Sequence, residues 1–84
     1  MKRIRLTRHA REQAAERGAT ESEIAEAIRK GSREPAKDGR ELCRYNFTFG
    51  TTWQGKLYAV QQVAPVIKEE AREIVVITVY TFYF

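Results

Sequence analysis

The sequence predicts an α+β fold, with two helices early in the chain packed on one face of an antiparallel sheet of about four strands. Three observations carry this expectation. Between Thr7 and Lys30 apolar residues recur at helical spacing, with capping residues and glycines at the ends. After Gly31 the pattern changes to the two-residue period of strands. An Asp38-Gly39 pair, a strong hairpin signal, lies just beyond that change.

The elements follow in order. Arg3 to Leu6 alternates charged and apolar residues, which predicts a short edge strand with Ile4 and Leu6 on one face. Thr7 can cap a helix whose narrow apolar stripe is Ala10, Ala14 and Ala15, with Gly18 as a left-handed terminator. Thr20-Glu-Ser-Glu23 is a capping box, so a second helix buries Ile24, Ala25, Ala27 and Ile28 and ends at Gly31.

The Asp38-Gly39 turn joins a short segment around Arg33 to Pro35 with a long strand from Glu41 to Phe49. Cys43, Tyr45, Phe47 and Phe49 share one face of it, and Arg44, Asn46 and Thr48 the other. Gly50 to Gly55 is expected to be a loop, Lys56 to Ala64 a strand ending near Pro65, and Lys68 to Arg72 a turn. Glu73 to Phe84 is β-branched and aromatic on both faces, as a strand in the middle of a sheet requires. The face away from the helices is then partly open and carries Arg44, Asn46 and either Gln61 or Gln62.

With 84 residues, 43% hydrophobic and 31% charged, the chain is a single ordered domain over 1–84, too small for a cleft between domains. A net charge of +4 favours anionic partners. The positives gather at Lys2, Arg3, Arg5, Arg8 and Arg11, and Glu69, Glu70 and Glu73 lie far along the chain, so a bipolar surface is expected. One Cys and one His cannot build a structural zinc site, so no metal and no cofactor is expected. The lone Cys43 suits a reducing cytoplasm, and no apolar run is long enough for a membrane span.

His9 is the natural acid/base candidate, because histidine is the side-chain type that ordinarily titrates near neutrality. The alternative is a histidine that bonds locally at a helix start. Gln13 and Arg17 follow at four and eight residues and share its side of the helix. Arg17 either reaches a substrate or braces the helix junction by pairing with a carboxylate such as Glu21. Arg44, amid aromatic residues, is suited to clamp a phosphate or is a solvated surface group. Tyr45, Phe47, Phe49 and Tyr80 either stack bases or fill the core, with core favoured for Phe47 and Phe49. Trp53 is a contact residue or a lid over one sheet end. No glycine-rich phosphate loop and no Ser/His/Asp set stands out, so any enzyme activity needs few groups, as in attack of an RNA 2′-hydroxyl on its neighbouring phosphate.

The segments Arg8-His-Ala-Arg11, Glu16-Arg-Gly18, Glu23-Ile24, Ala27-Ile28 and Ile77-Thr-Val-Tyr80 resemble a small bacterial family, domain of unknown function 4258. That family is distantly similar to the RelE/ParE and BrnT toxins. The resemblance implies a toxin-like RNA-binding domain and a metal-independent endoribonuclease, with His9, Arg17, Arg44 and Tyr80 as catalytic positions. Arg8, Arg11, Gln13, Asn46 and Trp53 are then the RNA contacts, and an acidic antitoxin-like protein the partner. The competing expectation is a non-enzymatic interaction module, docking a protein or a second copy to form a homodimer. It rests on the apolar end Thr81-Phe-Tyr-Phe84.

Overall fold

A computed structural model describes residues 2–84. Strand β1 (Arg3–Leu6) leads into helices α1 (Arg8–Arg17) and α2 (Glu21–Lys30). Strand β2 (Ser32–Pro35), a 3-10 turn (Lys37–Gly39), and strands β3 (Glu41–Trp53), β4 (Lys56–Glu69) and β5 (Glu73–Tyr83) follow. The α+β layout with both helices on one sheet face holds. The sheet has five strands in the order β1-β5-β4-β3-β2, and β1 runs parallel to β5 while the other pairs are antiparallel.

Both helices begin and end as their sequences dictate. The Thr7 hydroxyl accepts from the Ala10 amide, and Thr20 and Glu23 close a reciprocal capping box. Gly18 ends α1 at φ +79°, and its N–H bonds the Ala14 carbonyl. Ala10 and Ala14 let α1 lie close on β5, and Ile24, Ala27 and Ile28 seat α2. These residues meet Cys43, Val63, Ile67, Ile74, Val76 and Val79 in one core. A fully buried aliphatic side chain such as Ile24 contributes roughly 1.5–3 kcal/mol.

Two strand bounds and one strand position differ from expectation. β3 runs on through the segment expected as a loop, with a bulge between Thr48 and Thr51, and turns only at Gln54 and Gly55, both at positive φ. β4 continues past Pro65 to Glu69. The missing proline N–H interrupts the β3 ladder opposite Cys43 and Arg44 alone, and the same register holds on either side, at Leu42↔Val66 and Tyr45↔Val63. β5 is an interior strand, but the centre of the sheet is β4.

A bulge at Ile77 changes which side chains of β5 point to the helices. Val66 pairs with Thr78 but Ile67 with Val76. Ile74 and Val76 therefore enter the core before the bulge and Val79 after it, which leaves Tyr80 and Phe82 exposed on the other face.

The expected bipolar surface is absent. Parallel pairing sets Arg3 against Glu73, and Lys2 bonds Glu69 at 2.8 Å while Arg5 pairs with Glu73 at 3.1 Å. Arg8 and Arg11 pair with Glu12 and Glu21. The basic N-terminus and the acidic turn neutralise each other because the first and last strands are neighbours.

Candidate functional site

On the open face the side chains stand in rows that cross three strands. Leu42, Val66 and Thr78 form one, and Asn46, Gln62 and Phe82 another. Between them Tyr80 pairs with Ala64, and the β3 register puts Arg44 on the far side of Ala64. Arg44 and Tyr80 thus straddle the smallest side chain of the face, two strand spacings or about 10 Å apart at the backbone.

Arg44 is held rather than free. Its Nε donates to Glu34 Oε1 at 3.1 Å and its Nη1 to Gln62 Oε1 at 3.0 Å. Gln62 in turn donates to Asn46 Oδ1 at 2.8 Å, and the guanidinium lies 5.7 Å from the Phe82 ring centre. Gln62 is therefore the open-face glutamine. Gln61 is buried against the helices, donating to the Gly18 carbonyl and the Tyr83 hydroxyl.

Beyond the end of β1 the edge of β5 is covered by α1. Thr7 donates from its amide to Val76 O and from its hydroxyl to Ile77 O, and Arg17 Nη1 donates to Val79 O at 2.7 Å. Arg17 does brace, but through this carbonyl, while Glu21 takes Arg11. The Arg17 guanidinium also lies 5.2 Å from the Tyr80 ring centre, a cation–π contact. His9 is exposed, with Nε2 3.4 Å from the Thr78 hydroxyl. The α1 side that carries His9, Gln13 and Arg17 accordingly borders Thr78 and Tyr80.

A groove of about 300 Å³ opens next to Thr78 and Tyr80, which line it together with Ala36, Lys37, Arg40, Leu42 and Val66. Lys37 and Arg40 form no ion pair among the described residues. Sequence reasoning missed both. The available signal was their position either side of Asp38-Gly39, whose positive φ values fold the turn back beside β3.

Other candidates lie elsewhere. Arg8 projects into solvent, and Arg11 borders a separate depression of about 260 Å³ with Leu6, Ala14, Ala15 and Ala19. Trp53 stacks on Tyr83 at 5.0 Å, in a cluster with Phe49 and Tyr58, and sits over Gly18 on the helix side. Tyr45 and Phe47 meet edge to face and pack against the core. Burial pushes the Cys43 thiol above its ordinary range, so it is a packing residue and not a nucleophile.

The fold and this face define a class: a small α+β domain with a helix pair on one side of its sheet and a cation-lined groove on the other. The chain belongs to the family described as domain of unknown function DUF4258, whose family model matches residues 6–81. No curated protein and no solved structure matches the chain. No helix among the described residues is long and apolar enough to cross a membrane.

Proposed function

We propose that the open face binds single-stranded RNA and that the groove beside β5 is where the chain cuts it, by attack of a 2′-hydroxyl on the adjacent phosphate. The observation that supports this reading is that His9 and Arg17 of α1 reach Thr78 and Tyr80 of β5, two of the residues lining the groove with unpaired Lys37 and Arg40, while Arg44 stands across Ala64 from Tyr80. Such cleavage needs a base, an acid and cationic support for the phosphoryl oxygens.

His9 accepts the 2′-hydroxyl proton, and the Tyr80 hydroxyl returns one to the departing 5′-oxygen. Arg17 and Arg44 each spend part of their N–H groups on the protein, which fixes the guanidinium and leaves other donors for phosphate. Lys37 and Arg40 hold neighbouring phosphates in the groove. Exposed Phe82 offers a ring to a base, with Asn46 beside it. On this reading the chain is toxin-like, and its net charge of +4 suits an acidic antitoxin-like partner.

Labelled single-stranded RNA separates binding from cleavage. His9→Ala and Tyr80→Phe should bind like the parent yet lose cleavage by about 10²-fold or more. Lys37→Ala with Arg40→Ala should weaken binding and flatten its salt dependence. RNA that stays intact with the parent protein, even in a translating extract, sinks the nuclease step. Absence of binding at low salt sinks the RNA surface, and the exposed row Tyr80, Phe82 and Phe84 then favours a protein-docking face.

A further inference from the structure

We infer that two copies of this chain pair through the free edge of β3. The inference rests on backbone groups at the sheet edge and is independent of the RNA reading.

β2 covers only the first part of β3, because its last pair is Ser32↔Arg44. From Tyr45 to Trp53 the outer edge of β3 has no strand neighbour. Which amides point outward follows from the ladder. Ala36 N–H bonds Arg40 O, so even-numbered residues of β3 face the β2 side. The gap opposite Pro65 agrees, since its missing N–H would have bonded the odd-numbered Cys43. Asn46 and Thr48 therefore aim their N–H and C=O groups away from the sheet, where no described residue meets them.

Sheet edges are ordinarily blunted by charge or proline. The other two edges obey this: β1 carries Arg3 and Arg5, and β2 carries Arg33, Glu34 and Pro35. Residues 45–55 hold no charged side chain at all in a chain that is 31% charged. Only the bulge near Gly50 interrupts the edge.

A second copy fits this edge for two reasons. Antiparallel pairing of a strand with itself obeys two-fold symmetry, and here it brings no like charges together despite a net charge of +4 per chain. It also sets half-buried Tyr45, Phe47 and Phe49 against their counterparts on the helix side, and Asn46 and Thr48 against theirs on the open side. Aromatic and Thr pairs across strands are favourable. The product is one continuous sheet whose two open faces adjoin.

Sedimentation from low micromolar to near-millimolar concentration tests this. The parent chain should shift from monomer to dimer, and the Asn46 and Thr48 amides should exchange fast when dilute and slowly when concentrated. Thr48→Pro should remain monomeric throughout while keeping the parent near-ultraviolet circular dichroism, because its outward N–H is not used within the monomer. Phe47→Pro, one residue away, should unfold. Thr48→Lys supplies the same test through like charges at the seam, should the proline fail to fold. A parent that is monomeric at every concentration, or a folded Thr48→Pro or Thr48→Lys that dimerises like the parent, overturns the inference.

Discussion

Gly18 is where one added methyl group does the most damage. The residue lies at φ +79°, and a Cβ there would come within 2.6 Å of the Trp53 ring and 2.7 Å of the Tyr83 hydroxyl. Left-handed strain and overlap with packed rings act together, so Gly18→Ala should lower stability by about 2–4 kcal/mol in urea unfolding. Gln61 adds a second single-residue dependence beside it. It is 2% exposed and donates to both Gly18 O and Tyr83 Oη, so Gln61→Leu should cost about 1–3 kcal/mol. The glycine was legible as a helix terminator from its position after Glu16-Arg17. That Trp53 closes over it was not, because the ring arrives from a hairpin tip 35 positions along in sequence. Likewise, alternation alone put either glutamine on the open face, and only the register of β4 against β5 decided for Gln62.

The pairing of β1 with β5 is the element least visible in the sequence and the one with a pH signature. Hydrogen bonds from Lys2 and then Arg33 hold Glu69 below the ordinary carboxylate range, and a hydrogen bond from Arg5 does the same for Glu73. The folded chain therefore prefers both acids ionised. Their contribution is complete above the unfolded-state carboxylate pKa and is lost as pH falls through the lower folded-state values. The urea midpoint should hold from neutrality to about pH 5 and fall toward about pH 3, by a modest amount because solvent screens both pairs. Glu73→Gln should lower the neutral midpoint and flatten part of the acid limb. A pH profile unchanged by that substitution would show that Arg5–Glu73 contributes nothing. Periodicity found each strand, but it carries no information on which strands are neighbours, and so the positives of the N-terminus looked unopposed.

Across the whole molecule, helix order, caps and the strand-rich second half were legible because each rests on local rules: hydroxyl caps, glycine stops and alternating apolar residues. The candidate groups were legible as residue types, yet not as a constellation. His9 and Tyr80 stand 71 positions apart, and only closure of the sheet brings α1 along β5. The run Glu73 to Phe84 looked apolar on both sides for a specific reason. Its alternation changes phase at Ile77, so two half-patterns of opposite parity were superimposed. Sidedness in this protein is thus a matter of counting. Were the strand to alternate through Ile77 without a bulge, Tyr80 and Phe82 would be directed under the helices while Val79 and Thr81 turned to water; deleting Ile77 instead joins Val76 to Thr78 and keeps each later side chain on its present face. A chain lacking Ile77 should therefore keep a cooperative urea transition, and loss of that transition would show that the bulge itself is required. Whether a single aliphatic residue, itself outside the groove, is bulged out or counted in the ladder decides which half of the last strand's vocabulary the surface displays.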